Sequence, residues 1–222
     1  MGKHFDIGYF KKPVKVRAKV AQERTIINKM NAWKLGKEYY DGNRLDGYGG
    51  FKYDGRWKKL LPKIIKKYKL TNKSRVLDLG CKKGFLLKDI NILLPGIKSY
   101  GIENHPYALK KAVDCKSKLI ESQYYNIPFK NNYFDFVIAF NSIYKNNFGE
   151  TIKSIREISR VTKKNNSLIS IPTYQTNLEL SKFLNWTLIG TTICKKNDWL
   201  TVFKKINYKG DYYFTTVKSL GL

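Results

Sequence analysis

Apolar positions along this chain follow two periods, and their order predicts the architecture. Val16, Val20, Ile26, Ile27, Met30 and Trp33 recur near helical spacing among charged residues, which predicts a first helix over residues 14–35. Asp41 to Arg56 follows neither period. It carries Gly42, Gly47, Gly49, Gly50 and Gly55 with Tyr48 and Tyr53 between them, and reads as a loop with demanding backbone angles. Helical spacing resumes from Trp57 to Tyr68. From Arg75 the pattern predicts strands at 75–79, 98–102, 117–120, 134–139 and 167–171, with helices at about 84–93, 106–113 and 149–161 among them. Beyond Pro172, residues 174–184 and 197–206 read as helical, and 187–193 and 211–217 as extended.

Strands alternating with helices imply an α/β fold, a parallel sheet with helices on both faces, whose ligands bind beyond the carboxyl ends of the strands. That edge gathers Asp78, Glu103, Gln123 and Asn141 from distant parts of the chain. Residues 1–57 are expected to form an N-terminal helix and a glycine/tyrosine-rich lid on the core, with 58–222 as the ligand-binding domain. No internal repeat or low-complexity segment interrupts this plan.

Residues 76–87, VLDLGCKKGFLL, place a strand, a glycine-bracketed turn and a helix start in succession. The dinucleotide version of such a turn needs further glycines at positions 82 and 85, but these are Lys82 and Phe85. A pyrophosphate would also be repelled by Asp78 at the strand end, whereas a cationic ligand would be attracted. The next strand run, SYGIE, ends in Glu103, nineteen residues past Gly84, where an acid holding ribose hydroxyls is expected. In these residues the chain resembles the class I S-adenosylmethionine-dependent methyltransferases.

The resemblance implies a Rossmann-like sheet, mostly parallel with an antiparallel last strand, and S-adenosylmethionine as cofactor. Asp78, Gly80 and Gly84 match the first motif, Cys81 lies in that cofactor loop where a small residue is wanted, and Glu103, followed by Asn104, matches the ribose acid. In QYYNIPFKNNYFDFVI (123–138), Gln123 stands where Asp is commoner. Its amide carbonyl would accept from the adenine amino group while the Tyr124 backbone donates to the ring. Asn141, Ser142 and Tyr144 follow the fourth strand, where the family places groups facing the transferable methyl. Lys82 replaces a glycine common in this turn, and either points outward or pairs with the cofactor's carboxylate. The segments YYDGNRLDGYGGFKYDGRW (39–57), FNSIY (140–144) and the tail over 185–214 resemble, more narrowly, short bacterial methyltransferases of mostly unassigned substrate.

Composition adds a charge and a compartment. With 43 Lys and Arg against 17 Asp and Glu, the 222 residues carry a formal charge of +26. Three readings follow: a face for nucleic acid or anionic lipid, steering of an anionic small substrate, or a lysine-rich proteome. Cys81, Cys115 and Cys194 lack metal-ligand spacing and suit a reducing compartment. With no signal-like or spanning apolar run, the chain is expected in the cytoplasm, without membrane insertion.

Methyl transfer to a hydroxyl wants a base. His105, two residues past Glu103, is the candidate base or else a helix cap before Pro106; His4 is the other histidine, and Tyr144 is placed to orient an acceptor. In the glycine loop, Tyr48, Tyr53 and Arg56 are candidates for substrate contact, Arg56 offering a fork for carboxylate or phosphate unless it pairs with Asp46 or Asp54. The segment NSIY lacks the double proline of amino-methylating nucleic-acid enzymes. The expected function is therefore methylation, on oxygen, of a small polar metabolite that is anionic, phosphorylated or glycan-linked. The rivals are an RNA methyltransferase and a non-catalytic cofactor-binding scaffold.

Overall fold

Side-chain alternation on two central strands builds a core on each face of the sheet. Val76 of β1 (Arg75–Leu79) packs with Phe136, Ile138 and Phe140 of β4 (Phe136–Phe140) on one face, while Leu77 and Leu79 pack with Val137 and Ala139 on the other. Burying each such aliphatic or aromatic side chain contributes roughly 1.5–3 kcal/mol. Truncating the fully buried Ile138 to alanine would cost about 2–5 kcal/mol. These positions come from a computed structural model that describes residues 2–9 and 16–222.

Around β1 and β4 run β2 (Lys98–Glu103), β3 (Lys118–Glu121), β5 (Ser167–Tyr174), β6 (Cys194–Lys195) and β7 (Asp211–Thr215). The order across the sheet is β3-β2-β1-β4-β5, and the outer edge of β5 is shared. Residues 168–172 pair with β7, and Thr173 and Tyr174 pair with β6. Residues 3–5 then cover β7, with Phe5 N–H donating to the Tyr212 carbonyl and Tyr212 N–H to that of Lys3.

The antiparallel last strand is corrected here. β7 runs parallel to β5, in the register Leu168 to Asp211 through Pro172 to Thr215. An antiparallel last strand is reached by a hairpin from a full-length sixth strand. Residues 187–193, expected to be that strand, are irregular instead, and only Cys194 and Lys195 pair. Thr191 and Thr192 are drawn away by bonds to the Tyr144 and Asn146 carbonyls. The helix Lys196–Lys205 then returns the chain to the amino end of the sheet, where a parallel strand must start.

The expected first helix is two helices, α1 (Val16–Glu23) and α2 (Ile26–Trp33). The break falls where extended Thr25 donates its N–H to the Asn28 side chain at 2.8 Å, starting a new helix. Residues 14 and 15 lie outside the described residues. The other helices are α3 (Lys37–Asp41), α4 (Leu61–Tyr68) after a short turn at Arg56–Lys59, α5 (Phe85–Leu93), α6 (Pro106–Lys110), α7 (Phe148–Val161), α8 (Asn177–Trp186), α9 (Lys196–Lys205) and α10 (Val217–Leu220).

Candidate active site

The carboxyl ends of β1 and β4 open onto a cleft of about 370 Å³. Its floor is the turn after β1. Gly80 holds φ 86°, and a Cβ there would lie 2.2 Å from the Ser142 Cβ, so angle and space both demand glycine. Gly101 on β2 has no side chain for a similar reason: a Cβ would meet the Cys81 sulfur at 2.6 Å. Burial pushes the Cys81 thiol well above its ordinary range, so it packs rather than reacts. Lys82 and Asn141 also hold left-handed backbone, with φ 53° and 52°. Such angles are costly away from glycine, less so for asparagine, and they collect at functional sites.

Asp78 is the one acid among the residues lining this cleft. Its side chain is buried and makes no hydrogen bond among the described residues, and burial pushes its pKa up to about 7. Lys82 lines the cleft rather than pointing away from it. Burial disfavours its ammonium, but Tyr48, Asp78 and Glu103 outweigh that and hold it above the ordinary lysine value. The Asn141 carbonyl accepts from Ser170 and Thr215, which leaves its amide N–H groups without a partner among the described residues.

Glu103 is fully buried and does not line the cleft. One carboxylate oxygen accepts from the Asn104 N–H at 3.0 Å and the Tyr124 hydroxyl at 2.7 Å, and the other from the Lys82 N–H at 2.9 Å. The acid therefore ties the glycine turn to the strand beside it. The Tyr124 hydroxyl also donates to the Asn104 side chain, at 3.2 Å.

One wall comes from the glycine loop, through Tyr39, Arg44, Tyr48, Phe51, Lys52, Arg56 and Trp57. Two anchors fix it. Asp41 bonds Lys83 at 2.5 Å and the Tyr107 hydroxyl at 2.8 Å; Asp89, fully buried on α5, accepts from the Tyr53 hydroxyl at 2.5 Å and the Trp57 N–H at 3.1 Å. The wall continues with Trp186 at the end of α8 and with Thr187, Leu188 and Ile189 of the irregular segment that stands in place of the expected strand.

Several candidates fall elsewhere. Tyr53 turns to Asp89 and does not line the cleft. Arg56 does line it, but holds Asp54 through Nε and Nη2 and reaches the Tyr9 hydroxyl, the structural pairing open in the sequence. His105 caps α6, its Nδ1 accepting the Tyr107 N–H at 3.2 Å, and His4 packs against Tyr212 and Tyr213 on β7; neither reaches the cleft. Gln123 is exposed and lines no cavity described here, and Gly84, with φ 74°, starts α5. Tyr48 and Tyr144 line the cleft, burial pushing the Tyr144 hydroxyl up to about 12.

The sequence did not single out Lys145, four residues after Asn141. Its Nζ is buried without a hydrogen-bond partner, and burial lowers its pKa to about 8. It lines both the cleft and a second cavity of about 320 Å³, where Asn104, Trp33 and Glu150 also lie. Arg17, Arg24 and Arg44 are further basic groups on the cleft that no motif marked. Arg24 is held by the carbonyls of Leu45, Arg44 and Trp186 and stacks on the Trp186 ring.

A buried carboxylate with no partner asks for a cation, and Lys82 beside it offers a partner for an anion. The methionine end of S-adenosylmethionine carries both, so the residues fit it.

A glycine turn beside a buried strand-end acid, at the carboxyl edge of a parallel sheet, marks a Rossmann-like ligand-binding fold. Residues 70–209 match the model of a family described as a methyltransferase domain, and the chain belongs to that family. It is an S-adenosylmethionine-dependent methyltransferase. Similar solved structures include a protein described as a methyltransferase from Bacillus halodurans C-125, at 19% identity and TM-score 0.54, covering 66% of this chain and 67% of that one. Another is the partner of the Trm112 methyltransferase activator from Haloferax volcanii, at 18% identity and TM-score 0.53, covering 69% and 72%. The [4+2]-cyclase SpnF is similar too, at 20% identity and TM-score 0.54, covering 67% and 56%, so these likenesses concern the fold alone. No curated protein matches the chain significantly in sequence. Among the described residues no helix is long and apolar enough to cross a membrane.

Proposed function

We propose that the enzyme methylates a hydroxyl of a small anionic metabolite, phosphorylated, carboxylated or glycan-linked, held in the 370 Å³ cleft. One observation carries this reading. Arg17, Arg24, Arg44, Lys52, Arg56, Lys82 and Lys145 line the cleft against Asp78 alone. Once Asp78 meets a cationic ligand, the remaining lining favours an anion.

In this reading Asp78 binds the cofactor's ammonium, Lys82 its carboxylate, and Glu103 the ribose once Tyr124 turns aside. Gly80 and Cys81 let the backbone approach, and Asn104 and Asn141 supply amide contacts. The bound cofactor supplies an activated methyl on a sulfonium. Tyr48 and Tyr144 wall the acceptor and exclude water, and Arg44 and Lys52 hold its negative group. Lys145 takes the hydroxyl proton. Its lowered pKa leaves an appreciable neutral fraction near neutrality, which a base needs.

The test is formation of S-adenosylhomocysteine from S-adenosylmethionine over a panel of hydroxylated acceptors, each offered in an anionic and a neutral form. Turnover is expected with anionic members and not with their neutral counterparts. Preference for neutral acceptors, or methylation of RNA ahead of every small molecule, would overturn the reading.

A further inference from the structure

Helix α2 is amphipathic in the inverted sense. Ile26, Ile27, Met30 and Trp33 are 69, 58, 58 and 57% exposed. At 3.6 residues per turn they fall within an arc of about 120°. The opposite side faces the protein, and it is the polar side: Asn28 and Asn31 both donate to the buried Asp46 carboxylate, at 2.9 and 3.2 Å, beside buried Ala32. Packing the apolar arc inward would have been the ordinary outcome. Instead half of this eight-residue helix offers large apolar side chains to the surroundings.

The patch continues onto α8, since Lys29 Nζ reaches the carbonyl of Leu184, itself 48% exposed. Its border is basic. Lys29 lies within α2, Lys34 caps its carboxyl end and Lys37 follows, against Glu38, three cations to one anion over residues 26–38, in a chain of net charge +26.

We infer that α2 seats the protein on a membrane surface carrying anionic headgroups. A second copy of this chain would bring a surface of the same sign against the patch, which is unfavourable. An anionic bilayer supplies both complements, an acyl boundary for Ile26, Ile27 and Met30 and negative charge for the lysines, while Trp33 has the amphipathic ring found at such interfaces. The helix lies on the surface and spans nothing. Arg24, two residues before α2, lines the large cleft, and Trp33 lines the second cavity, so this seat holds both cavities close to the bilayer. The inference does not depend on the acceptor proposed above.

The experiment is co-sedimentation of the full chain with phosphatidylcholine vesicles, and with the same vesicles containing phosphatidylglycerol. Binding to the anionic vesicles should exceed binding to neutral ones by roughly tenfold or more. Ile26→Ser/Ile27→Ser/Met30→Ser should lose most of it while keeping the wild-type melting temperature, because the replaced side chains are exposed. Should that variant unfold, brominated phosphatidylcholine in anionic vesicles decides instead: it should quench wild-type tryptophan fluorescence and leave Trp33→Phe unquenched. Binding retained by a folded triple variant, quenching unchanged by Trp33→Phe, or no vesicle binding would each overturn the inference. A wild-type dimer that the variant makes monomeric, without vesicle binding, would assign the patch to a second copy.

Discussion

The Tyr124 hydroxyl donates to Glu103 at 2.7 Å, with both side chains fully buried. A proposed ribose acid thus already holds a hydroxyl, supplied by the protein. Cofactor binding must then exchange one hydroxyl for another, so its affinity carries the cost of breaking the first bond. Tyr124→Phe removes that competitor and should tighten S-adenosylhomocysteine binding several-fold by calorimetry, while Glu103→Ala should weaken it. Weaker binding by Tyr124→Phe would mean that the hydroxyl stays in place and helps to hold the ligand.

Asp78 should couple stability to function. Its folded pKa of about 7 lies above the ordinary 3.8 because of burial. A raised carboxyl favours the folded state fully below the unfolded pKa, and that contribution is lost as pH rises through the folded value. Asp78→Asn cannot ionise, so the ligand-free variant should gain stability over wild type as pH moves from about 4 to 8, by up to about 4 kcal/mol, read as a growing difference in melting temperature. The same variant should lose cofactor affinity. In the wild type that affinity should rise with pH through about 7, as the carboxylate forms. A melting-temperature difference independent of pH would remove this account of Asp78.

The glycine loop behaves as a pinned wall, and Asp89 is the pin. Its carboxylate is fully buried between the Tyr53 hydroxyl and the Trp57 N–H. Asp89→Ala strands both donors and should cost roughly 2–4 kcal/mol in denaturant unfolding, whereas Tyr53→Phe, which removes one donor, should cost about 1–2 kcal/mol. Equal and negligible losses would show that the wall stands without it.

These three predictions separate what was legible in the chain from what was not. Strand-end acids and the glycine turn are local features, so Asp78, Gly80 and Glu103 could be found from VLDLGCKKG and SYGIE. The helices and strands from Arg75 to Tyr174 follow from apolar periods, within a few residues at each end. Partner choice is not local. That Tyr53 goes to Asp89, 36 residues away, depends on how the loop lies on α5. The direction of β7 was hidden for a related reason. TLIGTTI has the apolar character of a strand, but Thr191 and Thr192 bond to the loop after β4, and the helix that follows reverses the expected hairpin.

Lys145 gives the sharpest kinetic prediction. Its amine is buried on the cleft wall over the Tyr39 ring, without a hydrogen-bond partner among the described residues, and burial brings its pKa down to about 8, Lys82 adding in the same direction and Glu103 opposing. A base works in its neutral form, so turnover at saturating substrate should rise with pH and level off above about 8. Lys145→Met keeps the length and apolar stem but has no amine. It should reduce turnover by roughly 10²–10⁴-fold, the range for a positioned base, and flatten the pH dependence. Cofactor affinity should change little, since the proton comes from the acceptor. A variant that kept the rise near pH 8, or lost cofactor binding and turnover together, would move the proton to another group or make Lys145 a binding residue.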